Sequence, residues 1–172
     1  YEIGVRLVGS EMCIRDRFIF DQDIFGFEKY SANRLTGPFK NNHNRSMSLD
    51  DFSELLSLPF EFYSLQKEVP HEDLEILNNC KIIDHQKLIH DFSDTASLIK
   101  MLDVIISVDS VIAHLAGALG KKTFLLLPEK SSFLWMNERK DTPWYPSVKI
   151  FRQSTLGDWK KPMEELMCEL QS

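Results

Sequence analysis

The sequence predicts an α/β fold built on a doubly wound parallel sheet, and three observations in its second half predict it. Leu102-Asp103-Val104-Ile105-Ile106 is a short apolar, β-branched run of the kind that fills a strand buried on both faces. Lys122-Thr123-Phe124-Leu125-Leu126-Leu127 is a second such run, closed by Pro128. Between them lies a stretch of small and apolar residues with good helix propensity, opened by Asp109-Ser110 and ended by Gly120. Strand, helix and strand in that order form a βαβ unit, whose strands run parallel.

The remaining elements follow the same alternation. Ser48-Leu49-Asp50-Asp51 opens a helix through about Ser57, with Ser48 as N-cap and Asp51 three residues on. Phe60–Ser64 reads as a strand, Glu72–Asn79 as a helix, and Lys81–Asp84 as a short strand. Asp94-Thr95 opens a helix to Met101 that leads into the central unit. Val148–Phe151 is the last strand, and Asp158 caps a final helix to about Leu170, apolar at Trp159, Met163, Leu166, Met167 and Leu170. Strands alternating with helices are the pattern of a parallel sheet covered by helices. Residues 129–147 form the longest irregular stretch and carry Trp135, Trp144 and Tyr145, and a long loop inside a compact domain is more often functional than accidental. Phe18-Ile19-Phe20 has the look of a strand end, but Asp21-Gln22-Asp23 and Phe25-Gly26-Phe27 show no clean period, so residues 18–40 receive no assignment.

Composition narrows the class. The 172 residues are 43% hydrophobic and 27% charged, ordinary for a globular protein. A net charge of −6 argues against a nucleic-acid partner, which calls for a basic face. No run approaches the roughly 18 apolar residues of a membrane span. Cys80 and Cys168 stand far apart with no CxxC or His-rich spacing, which points to neither a metal site nor a disulfide framework and makes the cytoplasm the expected compartment. His71, His85 and His90 have no partners at metal-ligand spacing.

Chemistry concentrates where the central helix begins. Ligands of open α/β sheets bind beyond the carboxyl ends of the strands, and a helix N-terminus offers backbone N–H groups and a positive dipole end to a phosphate. Asp109 and Ser110 occupy that position, and His114 follows one turn inside the helix. Asp and Ser also cap helices with no ligand at all. A histidine among Val111, Ile112, Leu115 and Ala118 is either a core histidine with a protein partner or a group reaching the same anion.

Val108-Asp109-Ser110-Val111-Ile112-Ala113-His114-Leu115-Ala116-Gly117-Ala118-Leu119-Gly120-Lys121 resembles the D-[ST]-x-x-x-H-L-x-x-A-L-G-K signature of GT-B glycosyltransferases of the heptosyltransferase type. The nearer likeness is to the bacterial glycosyltransferase-like domains found behind tetratricopeptide repeats. Their run W-x-W…D-S-P-W-Y-P-S-x-x-L-F-R-Q…G-D-W is similar to Phe133-Leu134-Trp135, then Asp141 to Gln153, then Gly157-Asp158-Trp159. Asn44-Arg45-Ser46-Met47-Ser48-Leu49 and Phe62-Tyr63-Ser64-Leu65-Gln66-Lys67 match upstream, so the likeness spans roughly residues 40–160.

The resemblance implies that residues 41–172 are the nucleotide-sugar-binding, Rossmann-like C-terminal half of such an enzyme. It implies that Ser110 and the backbone N–H groups of Ser110 and Val111 hold the diphosphate of a nucleoside-diphosphate sugar. Asp109 would accept hydrogen bonds from the donor's sugar hydroxyls, and His114 would be catalytic, stabilising the leaving diphosphate. Where this chain has Val111 the family often has Gly or Ala. Arg45 falls where the family places a basic residue toward the diphosphate, and Gln66 and Lys67 end a strand at the binding edge, Gln66 toward base or ribose; each is otherwise an ordinary surface residue. Asp94 and Thr95 are helix caps or contacts to ribose or base, and the aromatic residues of 129–147 are core or a stacking platform for base or sugar. No D-x-D motif is visible, so the expectation is no metal and no cofactor beyond the donor substrate. The acceptor is a glycan, lipid-linked sugar or protein, held with an N-terminal domain that this chain lacks. The alternative is a non-catalytic ligand- or protein-binding module behind a repeat domain. A nicotinamide-dependent oxidoreductase is disfavoured, since no G-x-G-x-x-G follows any strand.

Residues 1–17 resemble a translated sequencing-library adapter. The transposase-end oligonucleotide encodes Leu7-Val8-Gly9-Ser10-Glu11-Met12-Cys13-Ile14-Arg15-Asp16 and begins an Arg codon, and the sequence upstream of it encodes Tyr1-Glu2. This stretch is expected to be structureless and the chain to be a fragment of a longer reading frame, so it is excluded from fold reasoning. It carries as many basic as acidic residues, so its removal leaves the net charge at −6.

Overall fold

The computed structural model describes residues 17–21, 47, 49–65, 82–85 and 89–171. Six strands form one sheet: β1 (Arg17–Asp21), β2 (Glu61–Ser64), β3 (Ile82–Asp84), β4 (Val104–Val108), β5 (Thr123–Leu127) and β6 (Val148–Arg152). Every pairing between these six strands is parallel and the order is β3-β2-β1-β4-β5-β6. The chain steps outward from β1 to β3, returns to lie beside β1 as β4, and steps outward the other way to β6.

Helices α1 (Ser53–Leu56), α2 (Phe92–Met101), α3 (Val111–Ala118) and α4 (Lys160–Leu170) cover the sheet among the described residues. Strands β4 and β5 are buried at every position, as continuous β-branched and leucine runs require. Alternation along them divides the core. Val104, Ile106, Val108, Phe124, Leu126 and Phe151 face one side with Phe52, Leu55, the α4 N-cap Trp159 and the α4 residues Met163 and Leu166. Ile105 faces the other side with Ile99 and Leu102 and with Ile112 and Ala116 of α3, while Leu125, Leu127 and Ile150 pack there with Ala113 and Trp135. The fold is therefore α/β with a parallel sheet and apolar cores on both faces.

Several boundaries differ from the sequence reading. Strand β1 lies in the middle of the sheet, where the sequence showed only the look of a strand end at Phe18-Ile19-Phe20, and its first residue, Arg17, belongs to the adapter-like stretch expected to be structureless yet pairs with Glu61; residues 1–16 lie outside the described residues. The expected helix from Ser48 to Ser57 is a 3₁₀ turn at Leu49–Phe52 followed by one α-turn, cut short ahead of Leu58-Pro59, where proline disfavours helical geometry in its predecessor. Helix α2 opens at Phe92, not at Asp94. Asp91 Oδ1 accepts the N–H groups of Ser93 and Asp94 at 2.8 and 3.0 Å, and Asp94 Oδ2 accepts the N–H of His90 at 3.0 Å, a reciprocal cap. The expected helix at Glu72–Asn79 lies outside the described residues.

Candidate functional site

The site is built where β4 ends. Helix α3 starts immediately after the strand, and Ser110 is its N-cap in extended conformation, its Oγ accepting the Ile112 N–H at 3.1 Å. The same oxygen lies 3.2 Å from Ser107 Oγ, and Ser110 is buried. With its hydroxyl engaged in capping, what this end of α3 offers an anion is the backbone of its first turn, whose N–H groups have no partner within the helix. Asp109 takes no part in the cap. Its Oδ1 accepts the indole Nε1–H of Trp135 at 2.6 Å.

His114 is half-buried one turn into α3. Side chains in a helix lean toward its N-terminus, the end of α3 at which Ser110 stands as cap. The imidazole stacks on Trp135 with centroids 4.7 Å apart and planes 21° apart. Its Nδ1 lies 3.2 Å from Tyr145 Oη. Nε2 has no hydrogen-bond partner among the described residues. The sequence leaves this ring either a protein partner or an anion; the structure supplies the Tyr145 hydroxyl for one nitrogen and no partner for the other among the described residues.

Residues 129–147 supply these partners, held by one guanidinium that sequence reasoning did not single out. Arg152, at the end of β6, donates to Ser131 Oγ and, at 2.6 Å, to the carbonyl of Met136. Burial pushes its pKa down from the usual arginine value, and the nearby charge of Asp109 works in the opposite direction. Inside the loop Trp135 is fully buried, which makes it core and excludes it as a platform for a base or sugar. Trp144 is the reverse, 58% exposed with its Nε1–H donated to the Leu134 carbonyl at 2.9 Å.

Of the residues singled out from sequence, the structure gathers Asp109, Ser110, Val111 and His114 around the β4–α3 junction. Arg45, Gln66 and Lys67 lie outside the described residues. Asp94 and Thr95 are consumed locally: Asp94 by the cap of α2, and buried Thr95 by a bond from its Oγ1 to the Asp91 carbonyl at 3.0 Å. Among the described residues no group of three or more His, Cys, Asp or Glu side chains is arranged to hold a metal ion, and no helix is long and apolar enough to cross a membrane. Cys168 is a free thiol at the surface.

No family model matches the chain. It is similar to Protein FlbA of Caulobacter vibrioides, at 32% identity over 81 residues, a segment that is 46% of this chain. The chain spans 13% of the length of that protein.

Proposed function

We propose that the chain is the nucleotide-sugar-binding half of a GT-B glycosyltransferase, a doubly wound, Rossmann-like domain that holds a nucleoside-diphosphate sugar for transfer to an acceptor. The observation that carries this reading is the meeting of Asp109, the first turn of α3 and His114 at the carboxyl end of β4, where open α/β sheets bind their ligands. The motif resemblance rests on the same residues.

In this reading the diphosphate lies against the N–H groups of Ser110 and Val111, at the positive end of the helix dipole. The sugar–phosphate bond breaks as an acceptor hydroxyl or amine attacks the sugar carbon and gives up its proton to a base in the acceptor-binding half, and negative charge grows on the departing diphosphate. His114 stabilises that charge through Nε2, and the Asp109 oxygen not used by Trp135 receives a sugar hydroxyl. Arg45 and Lys67 add positive charge and Gln66 contacts base or ribose, as the resemblance implies. A donor set of helix N–H groups and imidazole needs no metal for this task.

Titration with uridine, guanosine and adenosine diphosphates, followed by amide NMR, tests the reading. Shifts concentrated at Ser110, Val111, Ile112 and His114 support it, and no saturable shift with any of the three rejects it. Binding in a complete protein that transfers no sugar would leave the non-catalytic ligand-binding module.

A further inference from the structure

We infer that Tyr145 is a positioning residue for His114: it holds the imidazole through Nδ1 and so leaves Nε2 as the hydrogen-bond donor to a diphosphate. The inference rests on the anion site proposed above and names how its imidazole is kept ready.

Three observations converge on it. The phenol oxygen lies 3.2 Å from Nδ1, and the Tyr145 and His114 rings meet edge to face at 5.8 Å. The second is Gly117, one turn beyond His114 on the same helix. A Cβ there would stand 2.5 Å from Tyr145 Cγ and 2.9 Å from its Cβ, so the tyrosine ring rests on bare helix backbone. Any side chain at 117 would push the phenol away. Third, the backbone around Tyr145 is fixed. The carbonyl of Tyr145 accepts the Val148 N–H at 3.0 Å, the Trp144 N–H bonds to the Oγ1 of buried Thr142 at 3.3 Å, and Pro143 and Pro146 flank the pair.

The chemistry follows from the ring. A neutral imidazole has one donor and one acceptor nitrogen, and the bond made by one fixes the role of the other. A phenol donating to Nδ1 makes that nitrogen the acceptor and keeps the proton on Nε2. If the ring is protonated, the hydroxyl turns and accepts from Nδ1–H, and Nε2 keeps its proton. In both states the unpartnered nitrogen is a donor, as an anion requires. Trp135 supports the arrangement from beneath. Its Nε1–H is drawn to the Asp109 carboxylate, and its face packs on the imidazole, so the ring is held on one face and at one nitrogen.

Nitrogen-15 NMR of the histidine side chains in the full chain, without ligand, reads the arrangement directly. At a pH where the imidazole is neutral, wild type should carry the His114 proton on Nε2, with Nδ1 at the shift of a hydrogen-bonded acceptor. Tyr145→Phe, which keeps the ring against Gly117 and removes only the oxygen, should move Nδ1 to the shift of an unbonded nitrogen. A proton found on Nδ1, or nitrogen shifts that Tyr145→Phe does not move, overturns the inference. Titration with inorganic pyrophosphate and with uridine diphosphate then tests Nε2. Tyr145→Phe should weaken binding about three- to tenfold, the effect of one hydrogen bond. It should weaken binding little further in the His114→Ala background. Equal losses in both backgrounds would show that Tyr145 does not act through His114. If wild type binds neither probe, the anion site itself fails and with it the donor role of Nε2, while the nitrogen shifts decide the Tyr145–His114 bond on their own.

Discussion

The Nε1–H of Trp135 is donated to Asp109 Oδ1 at 2.6 Å, and the face of the same indole carries the His114 ring. One fully buried side chain therefore ties the residue that follows β4 to the residue one turn inside α3. Asp109, exposed only in part, is held by a neutral donor, a charge-assisted bond stronger than a neutral pair.

Trp135→Phe should be among the costly single changes. It removes the donor of a carboxylate and leaves a gap the size of the lost ring, together worth roughly 2–4 kcal/mol. Urea unfolding of the variant measures it. A loss below about 0.5 kcal/mol, the range of a neutral surface change, would show that the bond does not hold the loop.

Gly117→Ala should also destabilise, against the trend for helices. An exposed glycine in a helix interior gives up about 1 kcal/mol relative to alanine. Here the added methyl meets the Tyr145 ring at 2.5 Å, and overpacking of that kind costs roughly 1–3 kcal/mol. Combining it with Tyr145→Ala should recover part of the loss, because the two changes relieve each other. Strict additivity in chemical denaturation would show that the ring and the glycine do not meet.

The central unit was legible because its signals are local. The β-branched run, Ser110 as cap and Gly120, at φ 68°, as stop each follow from residues within a few positions. The two-faced burial of β4 and β5 follows from unbroken apolar runs in the same way. Strand β1 was not legible, since Arg17-Phe18-Ile19-Phe20-Asp21 carries little that marks it as central, and its neighbours β2 and β4 lie some 40 and 80 residues on. The start of α2 was misplaced because Asp91 and Asp94 are both good caps, and the choice between them depends on which side chain reaches which N–H. At the site, Asp109, Ser110 and His114 announce themselves by sequence spacing. Their partners Trp135 and Tyr145 approach from 26 and 31 residues away, and Arg152 holds the loop that carries them from 16–24 residues on, distances no periodicity spans.

Arg152→Lys should loosen the loop without unfolding the sheet. Lysine keeps the charge beside Asp109 but not the planar fork that serves Ser131 and Met136 from two separate nitrogens. Limited proteolysis should cut within residues 129–147 several times faster than in wild type, while hydrogen exchange at β5 stays slow. Unchanged cleavage would mean that Trp135 and Tyr145 anchor the loop without Arg152.

Asp141 and Glu169 should govern part of the acid limb of stability. The Arg139 guanidinium, bonded to Asp141, holds that carboxyl below the usual range, and Lys149 does the same for Glu169. A carboxyl with a lowered pKa in the folded state gives stability that is full above its unfolded value, about pH 4, and is lost as pH falls through the folded value. Asp141→Asn and Glu169→Gln should therefore lower stability slightly above about pH 4, leave it close to wild type at more acid pH, and so flatten the fall between the two. Both pairs are solvated, so the effect is small, and salt should reduce it further. An acid limb identical to wild type in both variants would show that neither pair contributes.

In a complete enzyme of the proposed kind, His114→Ala should lower turnover more than donor binding. The contact between Nε2 and the diphosphate strengthens as the sugar–phosphate bond breaks and charge accumulates, so its loss is felt mainly in the transition state. One donor of this kind is worth roughly 3–4 kcal/mol, or on the order of 10²–10³ in kcat. The ring also has structural work, since it packs on Trp135 and bonds Tyr145, so some fall in melting temperature is expected as well. Measuring kcat per folded molecule and the melting temperature on the same preparation separates the two. Turnover close to wild type beside a lowered melting temperature would reduce His114 to a buttress of the loop.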